Sequence, residues 1–134
     1  MPSLLFVCVA NSCRSQMAEA AARRADPQGQ WTIWSAGSHP SGRVHPAAIE
    51  AMRELGVNLS THRSKGLTDV PQHVWDYVVT MGCGDACPAV RATQRLDWQI
   101  PDPVGLPPEQ MRAIRDDLIR RVEALMKPAA RQPA

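Results

Sequence analysis

Apolar residues along the chain form two kinds of pattern, which predict alternating strands and helices. Strands of a parallel sheet are predicted where apolar residues run on or alternate, over Leu4–Val9, Trp31–Ser35 and Val74–Met81. Helices are predicted where alanine is frequent or apolar residues recur at helical spacing, over Ser15–Arg24, Pro46–Leu55 and Pro108–Met126. This alternation predicts a doubly wound α/β sheet, in which the loops that follow the strands meet at one edge.

Length and composition are those of one small domain. The chain has 134 residues, and we predict a single domain over residues 1–127 and a disordered tail, rich in proline and alanine, over 128–134. A net charge of +2 without blocks of like charge favours neither nucleic acid nor a membrane surface as a partner. The first apolar run is too short for a signal peptide or membrane span, so we expect a cytoplasmic protein. We also expect a monomer. In that reducing compartment, the four cysteines are expected to be catalytic, redox-active or metal-binding.

The junction between the first strand and the first helix carries Cys8 and Arg14, six positions apart. The intervening segment with Arg14, Val9–Arg14, is called the anion loop below. Loop amides and a helix N-terminus favour a bound oxyanion, and a planar guanidinium can hold two of its oxygens. The same positive surroundings are expected to lower the pKa of Cys8 and make it a nucleophile at neutral pH. A buried structural cysteine is the alternative.

Substrate contacts are predicted for the whole loop and the residue after it: Val9, Ala10, Asn11, Ser12, Cys13, Arg14 and Ser15. Asn11, Ser12 and Ser15 are short polar residues, which suit a strained loop and a thiolate. Two roles are open for Cys13: a structural one, or a protective disulfide with Cys8 under oxidation.

The run Cys8–Glu19 resembles the signature of the low-molecular-weight tyrosine phosphatase superfamily, and most of all its arsenate reductase branch. Gln16 is the form found in the reductases, where the phosphatases usually have proline. The similarity extends from Leu4 to about the last helix. It implies a three-layer α/β sandwich with a four-stranded parallel sheet, and it puts Ser35–Gly37 at a strand end beside the anion loop.

A second cysteine pair, Cys83 and Cys87, directly follows the strand Val74–Met81 and is expected at the same sheet edge as the anion loop. Cysteines at this spacing can form a disulfide after modest distortion, which Gly82 and Gly84 make easy. A zinc half-site and inert packing cysteines are alternatives, but no second close pair of zinc ligands is evident. A redox relay is favoured, and the resemblance implies that Cys83 and Cys87 are its second and third thiols.

Asp102 stands between two prolines that fix the local backbone. From composition alone it would be a solvated turn residue, whereas the resemblance implies that it is the general acid. Val104 and Gly105 follow, in place of the aromatic residue that lines the phenyl slot of the phosphatases.

The resemblance also bears on cations. In some arsenate reductases, potassium binds residues that match Asn11, Glu19 and Ser35, together with an acidic residue where Lys65 stands here. The positive charge of Lys65 argues against potassium. We expect neither a bound cofactor nor a metal.

The implied function is reduction of arsenate to arsenite. Cys8 attacks arsenic while Asp102 protonates the departing oxygen, and disulfides then pass from Cys8–Cys83 to Cys83–Cys87, which thioredoxin reduces. A phosphatase is the main alternative, because Cys8, Arg14 and Asp102 suffice for phosphomonoester hydrolysis, and weak residual phosphatase activity is expected. A non-enzymatic module that binds metal or metalloid through the four thiols is the second alternative.

Overall fold

The structure is a computed structural model and describes residues 2–81, 90–103 and 105–127. Its four strands are β1 (Ser3–Cys8), β2 (Thr32–Gly37), β3 (Trp75–Thr80) and β4 (Ala92–Asp97). Its helices are α1 (Arg14–Arg24), α2 (Pro46–Arg53) and α3 (Pro108–Met126), with a short 3₁₀ helix at Leu67–Asp69. The strands form one parallel sheet in the order β2-β1-β3-β4, which confirms the α/β class and the four-stranded parallel sheet.

β1 lies inside the sheet, and every one of its residues is buried. It pairs with β2 on one side and β3 on the other, so that Val7 lies opposite both Ala36 and Thr80. A strand covered on both faces needs apolar side chains throughout, which explains its continuous apolar run. Its last residue, Cys8, lies in register with Gly37 at the carboxyl edge of the sheet.

β4 is the strand that the hydrophobic pattern does not locate. It lies at the edge of the sheet, and most of its residues are exposed and polar. Its register with β3 places Asp97 beside Thr80, whose hydroxyl donates to the Asp97 carboxylate over 2.9 Å. An edge strand of this kind is held by ladder hydrogen bonds more than by burial, so it leaves no apolar signature.

The helices lie against one face of the sheet. The large core there joins residues of β1 with residues of α1, α2 and α3, including Phe6, Met17, Met52 and Leu118. A smaller core on the other face includes Val70 and Trp75, and the 3₁₀ helix packs against it through Leu67.

The predicted helix bounds agree closely with the structure. The Pro108–Met126 prediction is confirmed at both ends. α2 ends at Arg53 rather than Leu55, because the chain turns there and Gly56 adopts a left-handed conformation with φ of 78°.

Three sequence predictions fall on residues that the structure leaves undescribed. Cys83 and Cys87 lie outside the described residues, and so do Val104 and the tail 128–134. In the part of the chain that is described, no helix combines the length and apolar character needed to cross a membrane.

Candidate active site

The predicted nucleophile and anion loop occupy the junction of β1 and α1 at the carboxyl edge of the sheet. Cys8 is the last residue of β1 and is 3% exposed. Cys13 is buried directly before α1, which Arg14 begins, and Val9 is exposed at the loop surface. The strand, loop and helix N-terminus predicted from the sequence are therefore all present.

The anion loop is held from outside through its carbonyl groups. The carbonyl oxygens of Cys8, Val9, Ala10 and Ser12 accept hydrogen bonds of 2.8–3.2 Å from backbone amides within residues 38–45. Among the described residues, none of the hydrogen bonds of the loop backbone uses a loop amide. Those N–H groups remain available to an oxyanion, together with the N-terminus of α1.

β2 approaches the loop so closely that a side chain would not fit. A Cβ on Gly37 would lie 2.5 Å from the carbonyl oxygen of Val9 and 2.8 Å from the amide nitrogen of Asn11. Gly37 is therefore needed for the close contact between the end of β2 and the anion loop, in agreement with the expectation for Ser35–Gly37.

Two of the short polar residues act directly on the shape of the site. Asn11 has φ of 48°, a left-handed conformation that asparagine tolerates better than most residues. Its side-chain amide donates to Ser15 Oγ over 2.8 Å, and Ser15 Oγ lies 2.9 Å from Cys8 Sγ. A hydroxyl that donates to this sulfur stabilises the thiolate.

Arg14 reaches from the start of α1 towards the segment that carries the predicted acid. Its Nη1 donates to the carbonyl oxygen of Ile100 over 3.0 Å. This bond fixes the half-buried guanidinium next to the loop Ile100–Pro103, in which the carboxylate of Asp102 is exposed.

Cys13 differs from Cys8 in its surroundings. Burial, together with the neighbouring charges of Cys8 and Asp102, raises the pKa of the Cys13 thiol to about 12 against the opposite effect of Arg14. Cys13 is held as a neutral thiol, which reacts slowly at neutral pH and so favours the structural role over a protective disulfide with Cys8.

Beneath the loop lies a set of buried polar side chains, here called the inner polar cluster: Asn11, Ser15, Gln16, Glu19, Ser35 and Lys65. The sequence did not reveal the parts that Gln16 and Lys65 play in it. Gln16 Nε2 donates to the side chain of Asn11 over 2.9 Å and to the carbonyl of Arg63 over 2.8 Å. His62, for which no role was predicted, contacts Gln16 Oε1 at 3.1 Å.

Glu19 is the buried carboxylate of this cluster. Burial alone would raise its pKa, but the hydrogen bond from Ser35 and the charges of Lys65 and Arg23 outweigh that effect and hold the pKa below its usual value. Glu19 also pairs with Arg23, one turn further along α1, at 3.0 Å.

Lys65 is the residue whose positive charge led us to expect that no potassium binds. Its Nζ lies 3.4 Å from Glu19 Oε1, and both side chains are buried.

Since an ammonium group already neutralises this carboxylate, exchanging sodium for potassium at constant ionic strength should leave the melting temperature and the turnover rate unchanged. Thermal melting and kinetic assays in matched chloride salts check this, and stabilisation specific to potassium would contradict it.

Metal binding has no support within the described ranges, where no group of three or more His, Cys, Asp or Glu side chains is arranged to hold an ion. Cys83 and Cys87 lie outside those ranges, so the alternative of a thiol metal site is untested.

The fold and the site define a class: a parallel α/β domain with a cysteine and an arginine at either end of a loop whose backbone amides make no hydrogen bonds to the described backbone. The sequence profile described as "Low molecular weight phosphotyrosine protein phosphatase" matches residues 3–133, and the chain belongs to this family.

Similar proteins within the family are named arsenate reductases. The "Glutaredoxin arsenate reductase" of Synechocystis is 39% identical, with 94% of this chain and 97% of the relative covered. A solved structure of an arsenate reductase in the phosphate binding state has a TM-score of 0.83 at 38% identity, covering 93% of this chain and 96% of that one. The structure of the thioredoxin-dependent arsenate reductase of Corynebacterium glutamicum has a TM-score of 0.75 at 33% identity, covering 93% of this chain and 60% of that one. The resemblance to the arsenate reductase branch is confirmed.

Proposed function

We propose that this chain is an arsenate reductase that uses Cys8 as its nucleophile and thioredoxin as its electron donor. The observation that carries the proposal is the contact of Cys8 Sγ with Ser15 Oγ at 2.9 Å, at the start of a loop whose carbonyls bond to residues 38–45 while its amides are left for an oxyanion. Arsenate as substrate is supported by the names of relatives that match the chain over nearly its whole length.

In the first step the anion loop and Arg14 bind the arsenate oxygens, and the Cys8 thiolate attacks arsenic. A sulfur–arsenic bond forms and an arsenic–oxygen bond breaks, and Asp102 gives its proton to the departing oxygen, which leaves as water. The bond from Arg14 to the Ile100 carbonyl supports this assignment, because it links the oxyanion-binding residue to the segment that bears the acid. Arsenic is still pentavalent in the resulting Cys8 adduct.

Reduction follows in the second step. The Cys83 thiolate attacks Cys8 Sγ, a Cys8–Cys83 disulfide forms, and the electron pair of the broken sulfur–arsenic bond reduces arsenic to arsenite. Cys87 then attacks Cys83, which frees Cys8 as a thiolate and leaves a Cys83–Cys87 disulfide for thioredoxin to reduce. The position of Met81 supports the relay, because its amide bonds to the Val7 carbonyl at 2.8 Å, so the chain leaves β3 beside the end of β1.

Arsenate-dependent NADPH oxidation with thioredoxin and thioredoxin reductase tests the donor and the relay together. The wild type should turn over continuously, and Cys87→Ser should stop after about one equivalent of arsenite, because its disulfide cannot move on from Cys8. Cys83→Ser should stop earlier, at the Cys8 adduct, and release no arsenite in the same assay.

Relatives are named for two kinds of donor, so glutathione with glutaredoxin is the necessary comparison. Continuous turnover of Cys87→Ser with thioredoxin would contradict the relay. A wild type that works with glutaredoxin and is silent with thioredoxin would contradict the donor while leaving the arsenate chemistry in place.

The family match favours phosphatase activity as a second candidate. Cys8, Arg14 and Asp102 could hydrolyse a phosphomonoester without Cys83 or Cys87. Weak hydrolysis of an aryl phosphate, equal in the wild type and in Cys87→Ser, is expected beside the reductase activity.

A further inference from the structure

The inner polar cluster holds a buried ion pair that has no step in the proposed reaction. Lys65 Nζ and Glu19 Oε1 are 3.4 Å apart, and the side chains are 8% and 5% exposed. Two other positive or titratable groups face Glu19: Arg23 at 3.0 Å, whose side chain is half exposed, and His62 at 4.0 Å. Lys65 is thus the buried cation of the three, and it sits where solvent cannot screen it.

The ionised state of Glu19 determines the direction of the first hydrogen bond. A carboxylate accepts and cannot donate, so Ser35 must give its single hydroxyl proton to Glu19 Oε1. The oxygen of Ser35 is then free to accept, and it does so from Asn11 Nδ2 over 3.0 Å.

The side chain of Asn11 is oriented from the other side as well. Its Oδ1 accepts from the backbone amide of Lys65 over 2.7 Å and from Gln16 Nε2 over 2.9 Å. Its amino group consequently faces Ser35 and also Ser15, to which it donates over 2.8 Å.

Ser15 completes the series. Because Ser15 Oγ accepts from Asn11, its own proton is available for Cys8 Sγ, 2.9 Å away. A hydrogen bond donated to the sulfur favours the thiolate over the thiol. The series therefore runs without interruption from Lys65 through Glu19, Ser35, Asn11 and Ser15 to Cys8.

We infer that Lys65 is a positioning residue for the nucleophile: its buried ammonium group keeps Glu19 an acceptor and so fixes the direction of the hydrogen bonds that end on Cys8. The inference rests on the proposed role of Cys8. The proposed reaction uses Arg14 and Asp102 at the substrate, whereas Lys65 acts through the inner polar cluster and touches neither substrate nor sulfur.

Removal of the ammonium group weakens the stabilisation of ionised Glu19. Only Ser35 and the half-exposed Arg23 then oppose the effect of burial on Glu19, so the balance moves towards its neutral form. A neutral carboxyl group can donate to Ser35 instead of accepting from it. Ser35 loses its single orientation, and the Asn11 side chain keeps only the contacts of its Oδ1 with the Lys65 backbone amide and Gln16. The Ser15 proton is then directed to Cys8 less firmly.

The test measures the Cys8 thiol itself, in a background that carries Cys83→Ser and Cys87→Ser. Cys8 and Cys13 remain there, and Cys13, with its pKa at about 12, does not compete at neutral pH. The rate of alkylation by iodoacetamide is followed against pH. Lys65→Met should slow alkylation at pH 7 by about tenfold and move the pH profile of the reaction to higher pH, because the thiolate loses the hydrogen bond that stabilises it.

Arg115→Met is the matched control. Arg115 is also a buried cation, bonded to Glu54 at 2.8 Å and to the Ala51 carbonyl at 2.8 Å, but it joins α2 to α3. Its loss should lower stability and leave the pH profile of Cys8 unchanged.

A second variant separates charge balance from packing. Adding Glu19→Gln to Lys65→Met replaces the carboxyl group by an amide that cannot take up a proton and retains an oxygen that accepts from Ser35, so the alkylation profile should return towards that of the background protein. If Lys65→Met does not fold, Lys65→Gln replaces it in the same comparison.

The inference is overturned if the Lys65 variant alkylates like the Arg115 variant, or if Glu19→Gln does not restore the profile. Neither result depends on arsenate. An altered thiol profile in a protein that reduces no arsenate would therefore leave the role of Lys65 intact and refute the proposed function alone.

Discussion

Cys8→Ala is expected to lower arsenate turnover by at least about 10⁴-fold, whereas Cys13→Ala should retain turnover within about tenfold of the wild type. Cys8 contacts Ser15 at the base of the anion loop, so its removal leaves no sulfur to attack arsenic. Cys13 is a buried neutral thiol, and its side chain makes no capping hydrogen bond to α1 that alanine would lose. Arsenite release in the thioredoxin-coupled assay measures both variants.

The two substitutions remove the same atoms from neighbouring buried positions, so each controls for the other. Comparable losses in both would indicate that the effect is structural and would remove the special role of Cys8. Retained turnover in Cys8→Ala would refute the nucleophile outright.

Gly37→Ala should damage both stability and oxyanion binding. Its Cβ would be 2.5 Å from the carbonyl oxygen of Val9, a backbone atom that cannot rotate away, so β2 and the anion loop must separate. Overpacking of this kind costs about 1–3 kcal/mol in the free energy of unfolding. Phosphate affinity should fall at the same time, because the displaced loop turns its amides away from the anion. Urea unfolding and phosphate titration measure the two effects.

Gly66→Ala is the matched control for Gly37. The two glycines pair as neighbours, but a Cβ on Gly66 would meet side-chain atoms of Asp69 and Pro40 at 3.4 Å, and its φ of −90° suits any residue. A small change in stability and unchanged phosphate affinity are expected. Equal effects of both substitutions would contradict the proposed close packing of β2 on the loop.

The parts of the fold predicted from sequence are those whose burial leaves a pattern. β1 is covered on both faces and is apolar throughout, and α3 presents one apolar stripe to the core, so both were located. β4 has an exposed surface and polar side chains, and its place depends on the ladder with β3. Pairing of this kind carries no local signal, so only the resemblance led us to expect a fourth strand.

The candidate active site likewise contains residues that the sequence predicted and residues that it did not. Cys8 and Arg14 were found because a short loop between a strand and a helix brings them together locally. The contacts of Gln16 with His62 and Arg63 join segments about fifty residues apart, and so does the pairing of Lys65 with Glu19. An irregular polar segment gives no indication of which buried group it will meet, and Lys65 drew notice through the family resemblance alone.

A single turnover without any external reductant tests the central claim most directly. Fully reduced protein is mixed with an equal amount of arsenate, and arsenite and free thiols are counted. The account predicts about one arsenite and the loss of about two thiols per chain, since the protein itself supplies both electrons. Unchanged thiols and no arsenite, in a protein that hydrolyses an aryl phosphate rapidly, would contradict it and make the chain a phosphatase.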